Sequence, residues 1–287
     1  MDVKDARIAI VGLGLMGGSL ALALRGKCAS LLGIDNDHHT LNLAQELNIV
    51  DIVSSDPEDL LPLADVIVLA IPVKAILAFL SKLNEIVPGS AIVIDLGSTK
   101  KKIIASMSTL PSRFDPIGGH PMCGKETHSL INANASLYQN ASFALTPLPR
   151  TTSRANKIAQ ELLNIIGAKP VWLDAELHDR WVAETSHLPY LLSNALAYST
   201  SKPAADLIGP GFRSSARLAV KPSSMMIDIL ETNRENILPA IEMFQKRLEE
   251  LRLVLQDEDY SRLTRELNQG AAKYKVILEQ YEKERNS

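Results

Sequence analysis

A glycine-rich turn after the first apolar segment constrains the fold of this chain more than any other feature. Residues 7–11 (Arg-Ile-Ala-Ile-Val) form the short β-branched run that is typical of a buried strand. The pattern Gly12-x-Gly14-x-x-Gly17 follows, and residues 19–25 then have the composition of a helix. In this context the glycines permit a tight turn, close approach of a pyrophosphate, and packing of helix on strand. The pattern predicts a dinucleotide site formed by Gly12, Gly14, Leu15, Met16 and Gly17, with helix N–H groups donating to the phosphates.

An acidic residue at the end of the second predicted strand indicates which dinucleotide binds. The apolar run Leu31-Leu32-Gly33-Ile34 ends at Asp35, at the spacing from Gly17 that such sites use. A carboxylate there accepts hydrogen bonds from the adenosine ribose and repels a 2′-phosphate. The sequence therefore predicts NAD as the cofactor, in preference to NADP.

Further strands alternate with helical segments, which predicts an α/β fold. Residues 65–70 and 90–95 are apolar runs with the composition of buried strands, and residues 141–145 and 171–173 continue the series. Such alternation is typical of a Rossmann-type, doubly wound and mostly parallel sheet, whose ligands bind beyond the carboxyl ends of the strands. The cofactor edge is therefore expected to contain the segment Ala70-Ile71-Pro72, the segment from Gly97 to Lys100 with Ser98, and the segment around His120.

His120 is the strongest candidate for a catalytic base. Gly118 and Gly119 precede it, and Pro121 follows and favours an extended backbone at the histidine. We expect a sharply bent loop that holds the ring while leaving it accessible, as a general base near neutral pH requires. The alternative is a structural histidine that caps a neighbouring element, and the position at the cofactor edge favours the catalytic interpretation. Cys123, a few residues further on, is expected to pack rather than to react.

Strands end near residue 173, and helical periodicity fills the rest of the chain. The sequence predicts a Rossmann domain over residues 1–173 and an all-helical domain over residues 174–287 for substrate binding and dimerisation. Residues 174–201 are predicted to form a long helix interrupted at Pro189. At 100° per residue His178 and His187 lie on opposite faces of that helix, so His178 is interpreted as structural.

Arg213 and Ser98 each admit more than one interpretation. Residues 209–212 (Gly-Pro-Gly-Phe) are predicted to form a loop that presents Arg213, which either binds a carboxylate or makes a surface salt bridge. Lys100, Lys101 and Lys102 are expected to form a solvated helix start, in which Ser98 has the alternative role of a helix cap.

Composition excludes several classes of function. The formal net charge is −3 and no lysine- or arginine-rich block occurs, so we expect no nucleic-acid partner. No apolar run reaches the length of a membrane span, and no cluster of residues has the spacing of metal ligands. With only Cys28 and Cys123, the chain is expected to be a cytoplasmic protein without a disulfide framework.

Five blocks of residues together resemble the prephenate/arogenate dehydrogenase family of tyrosine biosynthesis. In order, they are residues 11–19 (VGLGLMGGS), 95–100 (DLGSTK), 119–124 (GHPMCG), 186–189 (SHLP) and 211–213 (GFR). The resemblance implies that His120 accepts a hydrogen bond from the ring hydroxyl of the substrate and that Ser98 orients His120 near the nicotinamide. It also implies that His187 and Arg213 contact the substrate and that Glu126 lies near the substrate side chain.

The reaction that the resemblance implies is NAD-dependent oxidative decarboxylation of prephenate to 4-hydroxyphenylpyruvate and CO₂. The alternative is arogenate, which would give tyrosine directly. The chain departs from the family pattern at Ser214-Ser215-Ala216-Arg217, where the family often has Asp-x-Thr-Arg, and at Val220-Lys221-Pro222. Another Rossmann dehydrogenase, such as a β-hydroxyacid dehydrogenase, is an alternative that would rely on a lysine in the interdomain helix, and residues 174–201 contain none. An NAD-binding sensor without catalysis is the remaining alternative.

Overall fold

The fold is organised around one large sheet. In the computed structural model, which describes residues 1–124 and 129–286, the strands β1 to β8 are Arg7–Val11, Ser30–Ile34, Ile52–Ser54, Val66–Leu69, Ala91–Asp95, Phe114–Pro121, Ser142–Pro147 and Lys169–Trp172. Their order across the sheet is β3-β2-β1-β4-β5-β6-β7-β8. The pairings are parallel except for β6 with β7, which is antiparallel. This confirms the mostly parallel sheet that the sequence predicts.

The order of the strands places a ligand crevice beside β1. Strand β1 pairs with β2 on one side and with β4 on the other, so the chain reverses its direction of winding there. Open α/β sheets bind ligands outside the carboxyl ends of their strands at such a switch point. The glycine turn that follows β1 lies at that point.

Helices that alternate with the strands cover both faces of the sheet. Within the described ranges the α-helices α1 to α12 are Leu15–Leu24, His38–Glu46, Pro57–Leu60, Val73–Ile86, Lys101–Ser108, Ser153–Ile166, Ala175–Val182, Leu188–Ser199, Pro210–Ala216, Ser223–Thr232, Arg234–Gln256 and Tyr260–Asn286. Short 3-10 turns occur at Val3–Asp5, Leu61–Leu63, Leu130–Asn132, Lys202–Leu207 and Arg217–Val220. Helices α1 and α6 pack over one buried apolar cluster, and α4 and α5 over a second cluster on the opposite face.

The long helix that the sequence predicts over residues 174–201 contains an irregular segment. Helix α7 ends at Val182, a π-helical turn covers Ala183–His187, and α8 begins at Leu188, directly before Pro189. A π turn adds a residue to the helical turn and rotates all that follows it relative to an unbroken α-helix.

The chain forms two compact units, Met1–Asn233 and the residues from Arg234 onward. The first unit contains the sheet together with α7 to α10, whereas the sequence predicts a boundary after residue 173. Asp179 of α7 explains this attachment, because its carboxylate accepts the backbone N–H groups of Lys100 and Lys101 at the start of α5. The second unit consists of α11 and α12, which are linked by an ion pair of Arg247 with Glu266. No helix among the described residues is long and apolar enough to cross a membrane.

Candidate active site

A cavity of about 1350 Å³ opens at the carboxyl ends of the parallel strands. The residues that line it come from the turn after β1, the end of β2, the segment after β4, the segment after β5 and the end of β6. The cavity walls include Gly12, Gly14, Leu15, Met16, Asp35, Ala70, Ile71, Pro72, Ser98, His120, His187, Arg217 and Lys221. Most of the site residues expected from the sequence therefore line one space.

The glycine turn leaves a space that side chains would otherwise fill and that a ligand can occupy. Gly12 has a φ of +92°, in the left-handed region that favours glycine. A Cβ atom on Gly17 would lie 1.8 Å from the carbonyl oxygen of Gly12, so this position accepts no side chain. Gly14 precedes α1, whose first N–H groups have no partner within the helix. The turn and the helix start thus fit a pyrophosphate, which accepts such N–H groups.

Asp35 is held in place by its own surroundings. One oxygen of its carboxylate accepts the N–H of Leu13, at 2.7 Å, and the other accepts the N–H of Asp37, at 3.0 Å. These bonds connect the end of β2 to the glycine turn. The carboxylate lines the cavity with capacity to accept further hydrogen bonds, which suits the ribose hydroxyls of a dinucleotide.

His120 lies on a strand and not on a bent loop, so the expectation of a sharp bend is wrong. Strand β6 runs through Gly118, Gly119, His120 and Pro121, and His120 pairs in register with Ala144 of β7. The glycines serve close packing instead, because a Cβ atom on Gly119 would lie 2.6 Å from the carbonyl oxygen of Asp95. The strand fixes the backbone of His120 while the 9%-exposed side chain reaches the cavity.

A buried ion pair between Lys100 and Asp95 is hydrogen-bonded to the backbone of strand β6. The expectation that Lys100 is solvated is therefore wrong. The Lys100 side chain is fully buried and pairs with the buried carboxylate of Asp95. Lys100 Nζ also donates to the carbonyl of Gly119 at 2.7 Å, and Asp95 accepts the N–H of Gly119 at 3.2 Å. Burial lowers the pKa of Lys100, and the Asp95 carboxylate opposes that shift. The pair thereby connects β5, the start of α5 and the residue before His120.

The structure brings His178 and His187 into one cluster with His120, contrary to the expectation of opposite helix faces. His178 Nε2 lies 2.9 Å from His120 Nδ1, and the two rings meet edge to face with centroids 5.1 Å apart. His187 lines the same cavity as His120. The physical reason is the π turn at Ala183–His187, which changes the angle between the two helical histidines.

The histidine cluster is held in the neutral form. Burial lowers the pKa of His120 well below 6.5, and nearby His178, Lys100 and His187 lower it further. Burial also lowers the pKa of His178, although its hydrogen bond to Asp179 opposes that shift. For His187 burial lowers the pKa to about 4. At neutral pH His120 is therefore an uncharged imidazole, which is the form that accepts a proton.

Two basic side chains line the cavity that also contains His187, but Arg213 is not one of them. Arg213 is exposed on α9, which begins with Pro210 at its first turn where a loop was expected. Arg217 and Lys221 line the cavity instead, and the charge of Lys221 contributes to the lowered pKa of His187. Because α9 covers residues 210–216, Arg213 and Arg217 are separated by about one helical turn. The expected Glu126 lies outside the described residues.

Ser98 and Cys123 also line the cavity. Among the described residues the imidazole of His120 is hydrogen-bonded to His178 and not to Ser98, so the orienting role of Ser98 stays a prediction. Burial raises the pKa of the Cys123 thiol to about 11, which keeps it protonated at neutral pH. This agrees with packing, the role expected for Cys123.

Comparison with known proteins identifies the family. A model described as the nucleotide-binding domain of prephenate dehydrogenase matches residues 20–172, and one described as its dimerization domain matches residues 174–269. The chain belongs to the prephenate dehydrogenase family. The prephenate dehydrogenase of Lactococcus lactis subsp. cremoris is 32% identical to this member over 268 residues, which are 88% of this chain and 72% of that protein.

Two solved structures are similar to this chain over nearly its whole length. The first is prephenate dehydrogenase from Aquifex aeolicus in complex with hydroxyphenyl propionate and NAD⁺. It has a TM-score of 0.86 and 29% identity, and the alignment covers 96% of this chain and 98% of that one. The second is Synechocystis arogenate dehydrogenase, with a TM-score of 0.82, 30% identity and coverage of 94% and 99%.

Two polar residues of the site were not predicted from the sequence. Asp179 and Asn233 are buried, and each contacts a histidine of the cluster. The adjacent pair His178-Asp179 in an amphipathic helix was the available signal, since two adjacent buried polar residues need partners. Nothing local marks Asn233, which follows the last residue of α10.

Proposed function

We propose that this protein is an NAD-dependent prephenate dehydrogenase, which converts prephenate to 4-hydroxyphenylpyruvate and CO₂. The observation that carries the proposal is the presence, in one cavity, of a dinucleotide turn, a neutral buried histidine and two cationic side chains. Family membership and the NAD⁺ complex of the Aquifex aeolicus relative support the same activity. NAD⁺, when bound, accepts the hydride from the ring carbon that carries the hydroxyl group.

The protein contributes orientation and one proton acceptor. His120 takes the hydroxyl proton at its Nε2 atom, because its Nδ1 atom is occupied by His178. The ring carboxylate leaves as CO₂, and its bonding electrons complete an aromatic ring. The phenolate oxygen that results recovers the proton from His120. The reaction of prephenate with NAD⁺ therefore yields 4-hydroxyphenylpyruvate, CO₂ and NADH without net release of a proton.

The charges along the cavity favour prephenate over arogenate. Both substrates carry two carboxylates, and two cationic side chains, Arg217 and Lys221, line the cavity. Arogenate carries in addition an ammonium group on its side chain, which these cations would repel and an acidic partner would stabilise. Among the described residues that line the cavity, Asp35 is the acidic one, and it lies at the cofactor turn. In this proposal Arg217 takes the role that the sequence suggests for Arg213.

Steady-state assays of NADH formation test the substrate. We expect turnover with prephenate and NAD⁺, production of 4-hydroxyphenylpyruvate, and much lower kcat/KM with arogenate or with NADP⁺. A higher kcat/KM for arogenate would assign the alternative substrate. Tight NADH binding without turnover of either substrate would favour a sensor, and equal use of NADP⁺ would contradict the role of Asp35.

A homodimer is the expected assembly. The family model over residues 174–269 is a dimerization domain, and α11 and α12 expose large apolar side chains that include Met243, Tyr274 and Val276. Exposed apolar surface of this kind is typical of an interface. Light scattering is expected to give twice the chain mass of 31.3 kDa, and a monomeric mass at micromolar concentration would contradict the proposal. The cytoplasmic location and the functional division after residue 173 stay predictions.

A further inference from the structure

The buried carboxylate of Asp179 is a fixed hydrogen-bond acceptor. Its Oδ1 atom accepts the N–H of Lys100 at 2.7 Å, and its Oδ2 atom accepts the N–H of Lys101 at 3.0 Å. These N–H groups lie at the start of α5, where a helix favours negative charge. His178 Nδ1 lies 2.8 Å from the same Oδ1 atom. Because an ionised carboxylate only accepts, the Nδ1 atom of His178 carries the hydrogen and donates it.

The position of the ring hydrogen on His178 determines which nitrogen of His120 carries a hydrogen. Burial keeps His178 neutral, so with hydrogen on Nδ1 its Nε2 atom has a lone pair and accepts. The atom 2.9 Å away is His120 Nδ1, which must therefore donate. His120 is also neutral, so its single ring hydrogen is on Nδ1. The Nε2 atom of His120 is left as an acceptor.

The backbone carbonyl of Asp179 determines which ring nitrogen of His187 carries the hydrogen. The result is the opposite of that for His120. Asn233 Nδ2 lies 2.7 Å from that carbonyl oxygen and 3.1 Å from His187 Nδ1. A carbonyl oxygen accepts, so the Asn233 amide donates one hydrogen to it and directs the other to His187. The Nδ1 atom of His187 therefore accepts, and its ring hydrogen is on Nε2. His187 presents a donor where His120 presents an acceptor.

We propose that Asp179 is a positioning residue that holds His120 and His187 in opposite tautomers. This inference rests on the proposed function, in which an alcohol gives up a proton and a carboxylate or carbonyl needs a donor. His120 Nε2 then matches the ring hydroxyl, and the Nε2–H group of His187 matches an oxygen of a substrate that only accepts. A free imidazole samples both tautomers, so this arrangement selects the binding orientation before substrate arrives.

Nitrogen NMR of the NAD⁺-bound protein tests the tautomers directly. Histidine labelled with ¹⁵N distinguishes a ring nitrogen that carries hydrogen from one that does not, and the variants His120→Asn and His187→Asn assign the signals. We expect hydrogen on Nδ1 of His120 and on Nε2 of His187. The same tautomer in both rings, or hydrogen on Nε2 of His120, would overturn the proposal.

Two variants separate the branches of the network and serve as controls for each other. His178→Leu removes the acceptor for His120 Nδ1 and leaves Asn233 intact, so the His120 signals should change while those of His187 do not. Asn233→Leu should do the reverse. We expect kcat/KM to fall roughly tenfold or more in His178→Leu, with NAD⁺ binding unchanged, and to recover in part in His178→Gln, whose carbonyl accepts.

A purely structural role for His178 would lower thermal stability without moving the His120 tautomer, which would contradict the proposal. The NMR measurement needs no substrate. Failure of the prephenate assay would therefore leave the tautomer result intact, and the wrong tautomer would leave the assignment of prephenate intact.

Discussion

Replacement of His120 by asparagine is expected to lower kcat by roughly a hundredfold or more, the usual effect of losing a general base. Asparagine is similar in length to histidine up to its Nδ1 position, so the bond to His178 and the packing of β6 can persist. The glycine turn and Asp35 are untouched, and the Kd for NAD⁺ should therefore stay nearly unchanged. Rapid-mixing kinetics and fluorescence titration with NADH measure the two quantities separately.

The pH dependence of the wild-type protein provides the control for this variant. Burial, His178, Lys100 and His187 all lower the pKa of His120, and the neutral form is the active base. Acidification removes activity only when the pH approaches that lowered pKa. The kcat/KM should stay level from pH 8 to below 6.5 and fall at more acid pH. His120→Asn should lose this acid limb, and near-normal turnover in the variant would exclude His120 as the base.

Arg217→Gln is expected to raise the KM for prephenate by roughly a hundredfold, while Arg213→Gln has little effect. A charge-assisted pair of hydrogen bonds to a carboxylate contributes about 3 kcal/mol, which corresponds to that factor. The variants form a matched pair because both remove one guanidinium, about one helical turn apart, and only Arg217 lines the cavity. Steady-state kinetics with purified variants provides the comparison.

If Arg213→Gln raised the KM for prephenate and Arg217→Gln did not, Arg213 would be the residue that binds the carboxylate. Equal losses in both variants, together with a lower thermal midpoint, would indicate that α9 and the turn after it fail to form. A normal KM in Arg217→Gln would leave Lys221 as the remaining described cation of the cavity and would contradict the proposed role of Arg217.

The sheet and the cofactor turn were predictable because their determinants are local. A β-branched run, the glycine pattern and Asp35 each constrain the backbone or the charge near their own positions. Lys100 was not predictable in this way. Its neighbours Lys101 and Lys102 suggest a solvated helix start, and its burial depends on Asp95 and Gly119, which other segments contribute.

The arginine that lines the cavity was not predictable either, because its position depends on more than local sequence. A glycine-proline sequence indicates a break between helices, but Pro210 also fits the first turn of a new helix, which is where the structure places it. Choosing between Arg213 and Arg217 requires the orientation of α9, which no local pattern supplies. The glycines before His120 are similar, since a tight turn and close packing in a strand both require residues without a side chain.

The π turn at Ala183–His187 makes the local helical geometry of this segment a functional constraint. Upstream of it, Asp179 fixes α7 against the start of α5, and downstream of it His187 reaches the cavity. If the same number of residues formed a regular α-helix, at roughly 100° per residue, His187 would lie roughly 180° from His178. The wider π turn reduces this angle, because each of its residues turns the helix by less. Substitutions that close the π turn into an α-helix would therefore keep the helix and turn His187 away from the substrate, and we expect evolution to eliminate them.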